Sequence, residues 1–152
     1  PRVKELGRLL HAANIPVVGY VQSAIGGNND TEVQRELTGD NPISSEEYLR
    51  QGDYPRRVVV AVRLHAALMA LKAGHYVIHL AYERKGFSAF EDVGLPEWVH
   101  NVNTFAPTEV RAQVEALLHD ESVRAEYRRR LAEQREALEQ KYARMSEILR
   151  EQ

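Results

Sequence analysis

Three side chains that can bind an anion follow the ends of two predicted strands. Arg63 and His65 come directly after the apolar residues 58–62, and Lys85 follows the apolar residues 76–81. Because the carboxyl ends of parallel strands meet at one edge of a sheet, we expect the three side chains to lie on that edge. Arginine, lysine and protonated histidine donate charge-assisted hydrogen bonds to phosphates and carboxylates. The spacing predicts an anion site, and the alternative is two solvated charges beside a partly buried histidine.

The residues between 58 and 81 predict a strand, a helix and a second strand that together build this edge. Residues 58–62 are uninterrupted apolar residues, which is typical of a strand covered on both faces of a parallel sheet. Leucines and alanines at helical spacing follow, and Gly74 is placed to end that helix. The amides that open the helix, beginning at Leu64, favour an anion at the same edge.

The remaining predicted elements extend this unit into one α/β domain over residues 1–120. Helices are predicted at residues 2–13, 86–93 and 107–118, and further strands at residues 17–21 and 98–102. We expect the four apolar runs 17–21, 58–62, 76–81 and 98–102 to be parallel neighbours in one Rossmann-like sheet with helices on both faces. A single sheet of this kind would place all four strand ends on the edge that carries the anion site.

Other polar residues near the predicted strand ends are candidates for contacting a substrate. Tyr82 and Glu83 follow the second strand of the unit, and Asn103 follows the last predicted strand. The histidines do not show metal-ligand spacing, and we predict no metal site.

The composition is typical of an ordinary folded domain. The chain has 152 residues, and its 20 Lys and Arg nearly balance 22 Asp and Glu, which argues against coating of nucleic acid. It has no cysteine, which is compatible with a reducing compartment, and we expect a cytoplasmic protein. No apolar run reaches the roughly 20 residues that a membrane helix needs. Because the chain opens on Pro1 with no initiator methionine, we expect a part of a longer protein.

The chain changes character over residues 121–152, where arginine and glutamate dominate. The apolar residues there form a narrow stripe: Leu131, Leu138, Tyr142, Met145 and Leu149. This pattern predicts a long exposed amphipathic helix of roughly 45 Å, at about 1.5 Å per residue. A narrow stripe favours packing on another domain or on a partner helix, which includes a second copy of the chain.

Several of these residues, taken in order, also carry a resemblance to a known family. They are Arg63-Leu64-His65, a small and aliphatic helix, a glycine, an apolar strand, Tyr82-x-x-Lys85, Phe87 and Gly94-Leu95. In this order, over residues 58–118, they resemble the carboxyl-terminal half of the polysaccharide pyruvyl transferase family. Two places depart from the family: Tyr54-Pro55-Arg56-Arg57 stands where an Asp is usual, and Gly74-His75-Tyr76 stands where Gly-x-Pro is frequent.

The resemblance implies the carboxyl-terminal domain of a two-domain enzyme similar to glycosyltransferases of the B type. Such enzymes transfer the enolpyruvyl group of phosphoenolpyruvate to a sugar hydroxyl, without a further cofactor, and form a pyruvate ketal in exopolysaccharide or cell-surface glycan synthesis. Arg63 and Lys85 would bind the carboxylate and phosphate of the donor, and His65 would carry protons. The general base would be Glu83 or Asp30, or would lie on the amino-terminal domain. The partners implied are phosphoenolpyruvate, a saccharide acceptor and the amino-terminal domain.

Two other functions stay open on the sequence. A nucleotide-sugar-binding domain of a glycosyltransferase would use Arg63 and Lys85 for the diphosphate and an acid such as Glu91 for the ribose. A noncatalytic interaction module would use the long helix to pair with another protein. The identity of the ligand separates the first function from pyruvyl transfer, and the activity of an Arg63→Ala variant separates both from the module.

Overall fold

The structure, a computed structural model, describes residues 2–13, 20–21, 43–44 and 57–150. For residues 20–21, 43–44 and several beyond residue 137 it describes the backbone alone. Asp30, the alternative base, lies outside the described residues, as does most of the strand predicted at residues 17–21.

Within these residues the chain is a mixed α/β protein. The elements are α1 Arg2–Ala12, β1 Tyr20–Val21, β2 Ile43–Ser44, β3 Val58–Ala61, α2 Leu64–Lys72, β4 Tyr76–Ala81, α3 Arg84–Asp92, a 3-10 turn Pro96–Trp98, β5 Val99–Asn101, α4 Pro107–His119 and α5 Glu121–Arg150. The helices predicted at 2–13, 107–118 and 121–152 are confirmed to within two residues. The helix predicted at 86–93 begins earlier, at Arg84. None of the described helices is long and apolar enough to cross a membrane.

The central sheet has three parallel strands in the order β3-β4-β5. Ala61 pairs with His79, and Ala81 pairs with Asn101. The predicted parallel arrangement is therefore confirmed for three of the four runs. Most of the first run lies outside the described residues, and its last two residues, β1, pair in parallel with β2 in a sheet separate from these three strands. An apolar run specifies a strand, but the choice of its neighbour depends on contacts made elsewhere in the chain.

The most buried strand is β4 and not β3. All six residues of β4 are buried, whereas only Ala61 is buried in β3. Helices α2 and α4 both contact β3. Residues 58–60 are nevertheless only half-buried, because β3 lies at the edge of the three-stranded sheet while β4 is flanked on both sides. The strand also ends one residue earlier than predicted.

Helices cover both faces of this sheet, as predicted. The ring of His79 stacks on Phe90 of α3. The ring of His100, which is level with Leu80, hydrogen-bonds Gln113 of α4. Successive side chains of a strand point to opposite faces, so α3 and α4 lie on opposite sides of the sheet. On the α4 side, α1 packs against α4 and completes the layer.

Two strand–helix units follow one another with closely similar lengths. Helix α2 begins at Leu64 and α3 at Arg84, a spacing of 20 residues. Each unit ends at a glycine in the left-handed region, Gly74 with φ 92° and Gly94 with φ 79°, which confirms the predicted helix end at Gly74. Because the strands are parallel, both helices begin at the carboxyl edge of the sheet.

The long helix α5 is anchored near its start and carries a charged outer face. Tyr127 is 2% exposed, and its ring makes edge-on contacts with Tyr76 and Trp98 at centroid distances of 5.4 and 5.3 Å. On the other face, Glu126 pairs with Arg129 at 2.5 Å and with Arg130 at 3.0 Å. The interleaved arginine and glutamate residues thus form a solvated face, as the sequence predicts.

Candidate functional site

The turn from β3 into α2 places Arg63 at the N-cap of that helix. Its backbone is extended, with φ −85° and ψ 130°, and its side chain makes no capping hydrogen bond. His65 follows as the second residue of α2, and the first turn contains no acidic residue. The side chain of Arg63 therefore does not cap the amides that open α2, and the Arg63 guanidinium carries its charge at the positive end of the helix dipole.

The turn from β4 into α3 repeats this arrangement. Glu83 is the N-cap, extended with φ −126° and ψ 159°, and it also makes no side-chain capping bond. Arg84 and Lys85 open the helix, and no acid lies in the first turn. Cations at a helix N-terminus oppose the helix dipole, and a bound anion would offset that cost.

The strand register brings the two turns close together along the edge, with Glu83 at the start of α3 two residues further along than Arg63 at the start of α2. Ala61 pairs with His79, so a position two residues later, at Arg63, falls level with Ala81 and Asn101. Neighbouring strands lie about 4.8 Å apart, so the edge from Arg63 to Asn101 spans about 10 Å. That width suits a small phosphorylated ligand.

The side chains predicted to form the site are accessible to solvent. Leu64 is half-buried, while the other candidates are exposed: Arg63, His65, Tyr82, Glu83, Lys85 and Asn103. Tyr82, at 69% exposure, is among the large apolar side chains most open to water. Each candidate thus follows the carboxyl end of β3, β4 or β5 in the chain, and all but Leu64 are exposed.

The loop after β5 is held by a residue that sequence reasoning missed. Arg2 at the start of α1 donates from Nε to the carbonyl of Asn103 at 2.8 Å and from a terminal nitrogen to the carbonyl of Phe105 at 2.9 Å. The Asn103 N–H in turn donates to Oδ1 of Asn101 at 2.8 Å. Arg2 adds a cation near this edge, and no sequence signal predicts a contact across 101 residues.

A second missed residue is His79, in the middle of β4. It is 1% exposed, and its Nδ1 lies 2.8 Å from the carbonyl oxygen of Ala61. Burial lowers the pKa of His79, and the hydrogen bond to Ala61 opposes that effect. Its sequence signal was a single histidine inside the otherwise apolar run 76–81.

The other predicted features are distributed away from the edge. Glu91, the ribose candidate, is the penultimate residue of α3, roughly 9 Å along the helix from Lys85 at about 1.5 Å per residue. His75 accepts a hydrogen bond from the Arg57 N–H at its Nδ1. Among the described residues, no three His, Cys, Asp or Glu side chains cluster as metal ligands would.

An open groove of about 500 Å³ lies at the opposite end of the strands. It is lined by Val58, Tyr76, Leu117, Leu118, Arg124 and Arg128. Arg124 is occupied there with the carbonyls of Leu117 and Leu118, at 3.2 and 2.9 Å, and with Glu121. The groove is thus lined by residues of α4 and α5 and by the first residues of β3 and β4, and it is separate from the carboxyl edge.

Comparison with known proteins does not assign the site. Neither protein-family models, nor curated proteins, nor solved structures give a match to this chain.

Proposed function

We propose that this chain is the carboxyl-terminal domain of an enzyme similar to the polysaccharide pyruvyl transferases, and that it binds phosphoenolpyruvate at the carboxyl edge of its sheet. One observation carries the proposal. Helices α2 and α3 both begin on this edge, Arg63 and Lys85 lie at their starts, neither first turn contains an acid, and neither N-cap residue caps its helix through its side chain. Two such helix starts on one edge favour a ligand with two anionic groups, such as a carboxylate and a phosphate.

The proposed roles follow from the chemistry of the donor. Arg63 and Lys85 bind its carboxylate and phosphate, while amides at Leu64 and the side chains of Tyr82 and Asn103 line the same surface. His65 protonates the methylene carbon, which makes the neighbouring carbon electrophilic, and a sugar hydroxyl adds there as it loses its proton to a base.

Phosphate then leaves, and a second hydroxyl of the same sugar closes the ketal. Glu83 is the candidate base in this chain, and the remaining part of the enzyme is the alternative source. The proposal includes a Rossmann-like, B-type organisation with a cleft between two domains. The resemblance in residues 58–118 and the parallel sheet support this organisation. The nucleotide-sugar alternative is less favoured, since Glu91 lies at the far end of α3.

Binding of phosphoenolpyruvate to the chain, measured by calorimetry, tests the proposal. We expect Arg63→Ala and Lys85→Ala each to weaken binding about tenfold, because a lost charge-assisted hydrogen bond costs roughly 1.5 kcal/mol or more. Lys72→Ala is the matched control, since Lys72 is an exposed cation at the opposite end of α2 and should change affinity less than twofold. Equal binding by all three variants, or tighter binding of a nucleotide sugar than of phosphoenolpyruvate, would contradict the proposal.

A further inference from the structure

The imidazole of His79 fills the space between the end of β3 and the start of α3. Its Nδ1 lies 2.8 Å from the Ala61 carbonyl oxygen, and its ring stacks on Phe90 with centroids 5.4 Å apart. A Cβ placed on Gly86 would lie 2.5 Å from His79 Nε2, so the glycine lets the helix approach the ring. The ring is enclosed by segments that come from both helix starts.

Each of these contacts lies next to a cation of the proposed site. Ala61 is the last residue of β3, two residues before Arg63. Gly86 follows Lys85 in the first turn of α3. His79 therefore contacts both segments, and a change in its size or bonding would alter the separation of Arg63 from Lys85.

The hydrogen bond also fixes the protonation of the ring. A carbonyl oxygen only accepts, so Nδ1 must carry the proton that it shares with Ala61. Burial lowers the pKa of His79, which favours the neutral ring. In that form Nε2 is an unprotonated acceptor that faces the first turn of α3, where the helix dipole is positive. An apolar residue could fill the same space, but it could not donate a hydrogen bond to the Ala61 carbonyl at the end of β3.

We propose that His79 is a positioning residue for the anion site, an inference that rests on the proposed function. Its neutral ring holds the end of β3 and the start of α3 at the separation at which Arg63 and Lys85 contact one anion. It does not touch the ligand itself.

The variants His79→Asn and His79→Leu separate the effect of the hydrogen bond to Ala61 from the effect of filling the space that the ring occupies. Asparagine keeps an N–H donor at the same place along the side chain as Nδ1, whereas leucine fills space and donates nothing. Because the chain has no cysteine, cysteines introduced at the exposed residues Leu68 and Ser88 can carry spin labels that report the separation of α2 from α3. Phosphoenolpyruvate affinity is measured on the same proteins without labels.

We expect His79→Leu to shift or broaden the label distance and to weaken phosphoenolpyruvate binding at least tenfold. We expect His79→Asn to leave the label distance unchanged and to keep the affinity within threefold of the original. If His79→Leu is unfolded by circular dichroism, His79→Gln, whose donor lies one bond further out, replaces it with the same expected loss. Unchanged affinity in the leucine variant, or equal loss in both variants, overturns the positioning role alone. If the unsubstituted chain binds no phosphoenolpyruvate, the proposed function fails and this role fails with it.

Discussion

The hydroxyl of Tyr127 accepts a hydrogen bond from the Val77 N–H at 2.8 Å and donates one to the Val77 carbonyl at 2.7 Å. These two groups of Val77 point towards β5, because the preceding N–H, of Tyr76, bonds the Arg57 carbonyl on the β3 side. Strand β5 begins only at Val99, which is level with His79. The phenol of α5 therefore takes the place of a strand at this point of the sheet.

Replacing Tyr127 by phenylalanine removes this hydroxyl and leaves the buried N–H and carbonyl of Val77 without their hydrogen-bond partner. We expect the free energy of unfolding to fall by about 2 to 6 kcal/mol, since each of the two buried groups left unsatisfied costs about 1–3 kcal/mol. Urea unfolding followed by circular dichroism measures the change. Tyr82→Phe is the matched control, because Tyr82 is 69% exposed, and it should change stability by less than about 0.5 kcal/mol. A similar loss in both variants would show that the hydroxyl does not complete the sheet.

Adding one methyl group at Gly86 should disturb the start of α3. The new Cβ would lie 2.5 Å from His79 Nε2 and 2.8 Å from the Cβ of Ala81, so the helix or the sheet must move. We expect Gly86→Ala to destabilise the chain by about 1–3 kcal/mol, although alanine normally favours a helix. Thermal unfolding measures the effect, with Ser88→Ala on the exposed face of the same helix as the control. A stabilised Gly86→Ala protein would contradict the close approach.

The buried ring of His79 should make stability depend on pH. Its pKa is lowered by burial, so the unfolded chain binds a proton at this residue at a higher pH than the folded chain does. The stability that the neutral ring contributes is complete above the unfolded pKa of about 6.5 and declines as the pH falls from there towards the lower folded pKa.

We therefore expect the free energy of unfolding to fall more steeply between about pH 7 and about pH 5 in the original chain than in His79→Gln. Urea unfolding at a series of pH values gives both slopes, and Ser88→Ala serves as a control for substitution itself. Parallel slopes in the original and the His79→Gln chain would show that the ring does not contribute in this way.

Asp120 connects α4 to α5 and caps the longer helix. Its Oδ1 accepts from the Ser122 N–H at 2.9 Å and from the Ser122 hydroxyl at 2.6 Å, and the Ser122 side chain is the main reason that the pKa of Asp120 is lowered. We expect Asp120→Ala to lower the thermal midpoint and Asp120→Asn to restore most of it, because asparagine is a comparable N-cap.

Asp92→Ala is the control for Asp120→Ala, since Asp92 is an exposed acid at the last residue of α3, where a negative charge opposes the helix dipole. Its removal should leave the thermal midpoint unchanged or raise it slightly. If Asp120→Ala behaves in the same way as Asp92→Ala, the cap does not stabilise α5.

Local pattern was enough to predict much of the sheet and its edge. The apolar runs around Val60, Ile78 and Val99 specified strands, and the helices between them required parallel pairing, because a crossover of that length returns the chain in the same direction. Parallel pairing alone therefore predicts that Arg63 and Lys85 lie at the same edge. The helix end at Gly74 followed from the preference of glycine for positive φ.

Contacts between distant residues were not predictable in this way. Neither the pairing of Tyr20–Val21 with Ile43–Ser44 nor the bond from Arg2 to Asn103 has a local cause. The periodicity of α5 showed an apolar stripe that includes Leu131, but it did not distinguish Tyr127 as the residue that bonds the sheet. Such partners are chosen by the packing of the whole chain, and a hydroxyl at a helix surface has no pattern that reveals its acceptor.

The bond between Tyr127 and Val77 also orders events during synthesis of the chain. Translation releases Val77 50 residues before Tyr127, which at about 5–20 residues per second is a delay of roughly 3 to 10 s. During that interval the strand keeps two hydrogen-bonding groups that only water or another chain can satisfy, and an open strand edge invites pairing with a neighbouring nascent chain. The emergence of α5 from the ribosome thus closes the one stretch of β4 that its own neighbours leave open.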